Sequence, residues 1–246
     1  MTSRGRLLVV VPSETDPPAR LGEWLRAAGL ELDERHLGTG DPLPESLQGV
    51  DGLLVLGGPQ SSMDDEATSP ELVGVRALLR QAVEADLPTL AICLGAQLLA
   101  QVGGGSTRVG VDGPEVGATL VAKRDAADAD PVFGPLPLSP DVIQWHHDEI
   151  DRLPRGATLL ASNPHYPNQA FRLGAHVYAL QFHIETTPEM VRAWAASDPV
   201  GVAAHPLDVE TLCARATAAH DDVAQAWEPF AGRFAALVRS RAEAAA

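Results

Sequence analysis

Leu7-Leu8-Val9-Val10-Val11, ended by Pro12, is a continuous apolar run, with no polar residue on either side of the pleat. Such a run suits a strand buried on both faces, the usual state of a parallel strand covered by helices. Two more follow, at residues 52–56, closed by Gly57-Gly58-Pro59, and at residues 89–93. Helical stretches separate them. Residues 19–28 carry Leu21, Trp24 and Leu25 on one stripe and stop at Gly29; residues 70–85 have proline in the first turn; another helix starts at Leu94 and runs to Gln101. Residues 30–37 alternate as a further strand. This rhythm predicts an α/β fold, an open and mostly parallel sheet flanked by helices.

The middle of the chain changes character. Residues 115–122, 141–146, 158–162, 169–172 and 176–183 are short strand-like runs separated by turn residues, and predict additional strands that extend the sheet. Residues 191–196 and 207–241 are Ala-rich and helical. No Pro/Ser-rich linker or charge block divides the 246 residues. One domain over 1–246 is therefore expected, its core at about 5–195 and a C-terminal helical extension at about 205–246. Aromatics make up only 4%, so Ala, Val and Leu must fill most of the core.

A net charge of −15 argues against non-specific nucleic-acid binding, which needs a basic footprint, and against an anionic membrane surface. The apolar run after Arg6 is too short for a signal segment or a membrane span, so a cytoplasmic protein is expected. Two cysteines, Cys93 and Cys213, do not make a disulfide scaffold.

Cys93 sits where a buried strand runs directly into a helix, in Pro88-Thr89-Leu90-Ala91-Ile92-Cys93-Leu94-Gly95-Ala96-Gln97. Small residues at 91 and 95 permit the sharp turn that thrusts a nucleophile out at the carboxyl end of a sheet. Open α/β sheets bind ligands at that edge, and a helix N-terminus favours an anion placed there. A lone cysteine is more often structural, and Cys213, inside a helical stretch, is read that way. His183 and Glu185, two apart near the end of another apolar strand, would project to the same side about 6.5 Å apart. The carboxylate could hold the imidazole in one tautomer while its other nitrogen faces the thiol. For the oxyanion of an acyl-transfer intermediate, the Leu94 amide after the nucleophile and the Gly58 amide at the end of the neighbouring strand are the candidate donors. Gln144-Trp145-His146-His147-Asp148 is a polar cluster. A metal is not expected there, because adjacent side chains on an extended chain point apart.

Together these segments resemble the class I, triad-type glutamine amidotransferases, especially stand-alone chains similar to the amidotransferase domain of GMP synthase. The resemblance rests on Gly57-Gly58-Pro59, Cys93-Leu94-Gly95-Ala96-Gln97, Pro114-Glu115-Val116-Gly117, Trp145-His146-His147-Asp148, Asn168-Gln169-Ala170-Phe171-Arg172 and Gln181-Phe182-His183-Ile184-Glu185, over about residues 5–195. It implies a flavodoxin-like sheet with added antiparallel strands, and a triad of Cys93, His183 and Glu185. It further implies an oxyanion hole from Gly58 and Leu94, and contacts to substrate from Gly57, Gln97, His146 and Asp148. The substrate would be glutamine, hydrolysed through a γ-glutamyl thioester without metal or cofactor. With no Walker-type or pyrophosphatase loop in the sequence, either its ammonia would go to an unidentified acceptor or separate synthetase subunit, or the chain would be a free-standing hydrolase. Relatives that cleave γ-glutamyl amides use the same triad, which keeps a γ-glutamyl hydrolase as the alternative. A catalytically silent regulatory or binding subunit is the reading from another class. The family usually has Gly where Ala91 stands and Pro where Ile184 stands.

Overall fold

A computed structural model describes residues 4–245. The first half contains β1 (Arg6–Val11), α1 (Ala19–Ala27), β2 (Glu31–His36), β3 (Gly52–Val55), α2 (Glu71–Glu84), β4 (Thr89–Ile92) and α3 (Leu94–Val102). Then come β5 (Ser106–Val109), β6 (Glu115–Leu120), β7 (Ala122–Lys123), β8 (Asp141–His146), β9 (Asp148–Arg152), β10 (Thr158–Ser162), β11 (Ala170–Leu173) and β12 (Val177–Leu180). Three helices follow: α4 (Pro188–Ser197), α5 (Pro199–Ala204) and α6 (Val209–Ala245).

The main sheet has eight strands in the order β2-β1-β3-β4-β12-β11-β10-β7. The strands from β2 to β12 pair in parallel, and β11, β10 and β7 continue the sheet antiparallel. The apolar runs occupy its centre because each must bury both faces. Leu7, Val9, Val11, Leu54, Leu90 and Ile92 face α1 and α6, whose Leu21, Leu25, Trp227, Phe230 and Phe234 cover them. Leu8, Val10, Leu53 and Val55 face the opposite layer, closed by Leu72, Val75, Leu78 and Leu79 of α2 and Leu98 and Leu99 of α3. Successive residues therefore serve opposite layers, as the two-residue period of a strand requires.

The added strands only partly extend the sheet, contrary to the sequence expectation. β6 and β8 form a separate antiparallel pair, and so do β5 and β9. β8 turns away because Ile143 bridges to His183, beyond the end of β12, through two backbone hydrogen bonds of 2.8 and 3.2 Å. The β6–β8 pair is thereby laid over the carboxyl end of the main sheet. β5, β9 and α5 have no counterpart in the sequence reading.

Candidate active site

Cys93 caps α3 with φ 49° and ψ −108°, a left-handed conformation that a side chain rarely adopts. Neighbouring strands on both sides hold it there. The Cys93 amide donates to Leu180 of β12 at 2.8 Å, and α3 presses against β3 where a methyl group on Gly95 would lie 2.4 Å from the Val55 carbonyl oxygen. Cys93 is 6% exposed, at the floor of a cleft of about 430 Å³. Its thiol points to the Trp145 carbonyl at 3.8 Å, and the Gln181 amide nitrogen approaches the sulfur at 3.9 Å.

His183 and Glu185 come together, though not on an extended strand: β12 ends at Leu180, and the chain then bends. Both side chains are buried, and His183 Nδ1 meets Glu185 Oε1 at 2.6 Å. The other carboxylate oxygen accepts from the Ile184 amide at 2.9 Å. His183 Nε2 is buried without a hydrogen bond among the described residues. Burial disfavours the charged ring, but Glu185 on one side and Cys93 on the other outweigh it and raise the imidazole well above the ordinary histidine range. The Trp194 ring packs against the imidazole with centroids 4.7 Å apart, and its own Nε1 donates to the Thr15 carbonyl at 3.1 Å.

Gly58 and Leu94 line the cleft beside Cys93. Among the described residues neither amide takes part in a hydrogen bond, so both are available to a ligand oxygen. Gly57 lies behind the wall: a methyl group there would sit 3.0 Å from His183 Cε1 and 3.5 Å from Cys93 Cβ. It acts as the gap that lets imidazole and thiol approach, and it does not line the cleft. Gln97 reaches the cleft, with its amide nitrogen donating to the Asp148 carbonyl at 3.0 Å. His146 is on the wall too, but both ring nitrogens are committed, to the Asp148 carbonyl at 2.9 Å and Glu115 at 3.0 Å. It braces the 145–148 turn and has no free nitrogen for a ligand. Asp148 lines the cleft and accepts from the Ser61 hydroxyl at 2.6 Å.

Thr15, Asp16, Trp194, Ser197 and Asp198 complete the wall on the imidazole side, and sequence reasoning did not find them. Ser13-Glu14-Thr15-Asp16-Pro17 reads as a plain turn. Its one signal is position, directly after the carboxyl end of a central parallel strand, where ligands of open sheets bind. Asp198 accepts from Trp145 Nε1 at 3.0 Å, His147 Nε2 at 2.8 Å and the Gly201 amide at 2.9 Å. Burial opposes its ionisation, but these donors win and hold its carboxyl below the usual range. Among the described residues no group of three or more His, Cys, Asp or Glu side chains is placed to hold a metal. No described helix is long and apolar enough to cross a membrane.

The family profile described as glutamine amidotransferase class-I matches residues 25–193. The chain is 36% identical over 144 residues to the glutamine-hydrolyzing GMP synthase of Porphyromonas gingivalis, covering 58% of this chain and 26% of that protein. It thus spans about a quarter of the length of the GMP synthases it first matches. It is 29% identical over 153 residues to gamma-glutamyl peptidase 3 of Arabidopsis thaliana, covering 61% of this chain and 60% of that protein. A crystal structure of a glutamine amidotransferase from Thermotoga maritima superposes with a TM-score of 0.83 at 27% identity, over 95% of this chain and 99% of that one.

Proposed function

The chain belongs to the class I glutamine amidotransferase family, and on that basis we propose that it hydrolyses the side-chain amide of glutamine through a γ-glutamyl thioester on Cys93. The observation that carries this reading is the state of His183. One ring nitrogen is fixed by Glu185, the other is free of hydrogen bonds among the described residues, and Cys93 contributes to raising the ring's basicity.

In this mechanism His183 takes the thiol proton, and the sulfur attacks the carboxamide carbon. The Gly58 and Leu94 amides receive the oxyanion. His183 then returns the proton to the amide nitrogen; the C–N bond breaks, ammonia leaves, and a thioester remains. Water attacks with His183 as base, the C–S bond breaks, and glutamate departs with the thiolate and imidazolium restored. Glu185 keeps the imidazole in one tautomer throughout. A synthetase partner is the proposed acceptor of the ammonia.

The test is covalent capture. A γ-glutamyl diazo-ketone is expected to add once to the protein, at Cys93, with loss of glutaminase activity, and the Cys93→Ala variant is expected to take no label. Labelling that persists in Cys93→Ala, or a Cys93→Ala enzyme as fast as wild type, rejects the mechanism.

A second reading is hydrolysis of γ-glutamyl amides larger than glutamine. The cleft favours it, since it runs past the thiol to Ser197 and Asp198 and has a volume in the range that takes drug-sized ligands. Ammonia released from glutamine supports the first reading; amine released from γ-glutamyl conjugates, with no ammonia from glutamine, supports the second.

A further inference from the structure

Trp194 stands on α4, one residue beyond the segment that matches the family profile. With Met190, Val191 and Ala195 it forms the buried stripe of that helix, at the spacing that turns one face inward. It is not part of the two large hydrophobic clusters on either side of the main sheet. Its own cluster is small, with Ile143, Met190, Val191 and Ala216, and its ring lines the cleft. Three contacts fix that ring. Its centroid lies 4.7 Å from that of the His183 imidazole, with the planes at 54°. Its Nε1 donates to the Thr15 carbonyl at 3.1 Å. Trp145 packs on it with centroids 6.0 Å apart, and Asp198 holds Trp145 in turn. The indole cannot swing away from the imidazole without losing a hydrogen bond, which is more than an apolar filler at this position would require.

The imidazole needs what such a ring provides. His183 is 1% exposed. Burial is the largest influence on it and works against its charged form, although Glu185 and Cys93 outweigh it. The faces of a buried imidazolium are cut off from bulk water, and an aromatic ring within about 6 Å offers negative π density in its place. The titratable groups that face the imidazole are Glu185 on its own segment, Cys93 at the start of α3 and Asp16 in the turn after β1. The charged residues of α4, Glu189 and Arg192, are exposed and pair with each other. His146 and His147, at the end of β8, are bonded to Asp148 and Glu115 and to Asp198, and His220 of α6 is bonded to Thr186. Trp194 is therefore the neighbour placed to act on the charge of the ring without carrying one.

We propose that Trp194 is a positioning residue for the hydrolase: its ring holds the His183 imidazole in place and favours the protonated form that arises when the Cys93 sulfur gives up its proton. This rests on the pairing of Cys93 with His183 in the reading above, and adds to it a residue outside the triad.

Alkylation by iodoacetate across pH, followed at the Cys93 peptide by mass spectrometry, tests it. This anionic reagent reacts with the thiolate and is drawn by a neighbouring imidazolium, so a thiolate–imidazolium pair gives a bell-shaped profile. The acid limb reads loss of the thiol proton, and the alkaline limb reads loss of the imidazolium proton. In Trp194→Leu the alkaline midpoint is expected to fall by about 0.4–1.5 pH units, the worth of a cation–π contact, and in Trp194→Phe by less. The acid midpoint is expected to stay, because the imidazolium is present on both sides of it. Loss of cover alone acts with the opposite sign, since water reaching the ring stabilises its charge and raises the alkaline midpoint. Biosynthetic 5-fluorotryptophan, in place of every tryptophan, keeps the shape of the ring and weakens its π density. It is expected to lower the alkaline midpoint of wild type and to leave that of Trp194→Phe in place, a comparison that does not depend on Trp194→Leu folding. An alkaline midpoint that stays or rises in the variants, or fluorination that makes no difference to wild type, overturns the proposal, while a surviving bell leaves the pairing of Cys93 with His183 standing. A wild type with no alkaline limb, whose alkylation rises only at the ordinary thiol pKa of about 8.5, overturns both.

Discussion

Glu185 is held at both oxygens, one by His183 Nδ1 and one by the Ile184 amide. The second donor exists because residue 184 is not the proline usual in the family, since proline has no N–H. Ile184→Pro is expected to lower stability by about 1–3 kcal/mol, the cost of an unsatisfied buried carboxylate oxygen, read by urea denaturation. The charge state of His183 gives a second prediction. Its folded-state pKa is raised against burial by Glu185 and Cys93, so the protonated ring adds stability. That addition is fully present below the unfolded value of about 6.5 and is lost as pH rises through the raised folded value. Glu185→Gln removes the leading favourable cause. The wild-type advantage in Tm over Glu185→Gln is therefore expected to be largest near pH 6 and to shrink toward alkaline pH; a gap independent of pH would count against the ion pair. At this scale the strand-to-helix turn at Cys93 and the closeness of His183 to Glu185 were legible, because turn and strand geometry constrain their neighbours. The sequence was a poor guide to His146, because only coordinates reveal that both of its nitrogens are spoken for.

At the scale of elements, the junction between α4 and α5 forms one wall of the cleft, and Asp198 fastens it. That residue caps α5 through the Gly201 amide and reaches across to Trp145 and His147 near the β8–β9 turn. Asp198→Ala is expected to cost about 1–2 kcal/mol from the lost cap, and to raise KM more than it lowers kcat, because the wall loosens while the thiol and imidazole keep their own supports. Thermal melts and steady-state kinetics check both parts. Gly95→Ala is expected to destabilise by about 1–3 kcal/mol through overpacking, since its new methyl would meet the Val55 carbonyl at 2.4 Å. The central strands were legible because an all-apolar run has few other places to go. β9 was not: Asp148-Glu149-Ile150-Asp151-Arg152 carries one apolar residue, and its extended form depends on pairing with β5 and on Arg108, which bridges to Glu149 at 2.9 Å and Asp151 at 3.0 Å. The separate β6–β8 pair was hidden for a related reason, since the Ile143–His183 bridge that redirects it joins residues far apart in sequence.

At the scale of the whole molecule, α6 runs for 37 residues, packing on α4 and the β6–β8 pair as well as covering one layer of the main sheet from Val223 onward. The sequence reading placed this helical stretch outside the core, at about 205–246, yet Trp227, Phe230 and Phe234 are fully buried within it. Ala-rich composition reads as helix but not as partner, which is why the length of α6 was legible and its packing was not. Trp227 touches Phe133, Phe182 and Phe230, with centroids 5.2–5.8 Å apart, and donates to the Asp141 carbonyl at 2.9 Å. Trp227→Ala is expected to cost about 3–5 kcal/mol, read by denaturant unfolding. The proposed glutaminase activity is expected to fall more than folded content, because Phe182 adjoins His183.

The contact between α6 and β1 has a further consequence for how the chain is made. On the ribosome, β1 emerges roughly two hundred residues before the helix that covers it, where Val238 meets the backbone at Gly5 and Gly52. Until then Leu7, Val9 and Val11 have no cover from that helix, and a nascent polypeptide in this state presents greasy strand surface of the sort that chaperones hold and neighbouring chains stick to.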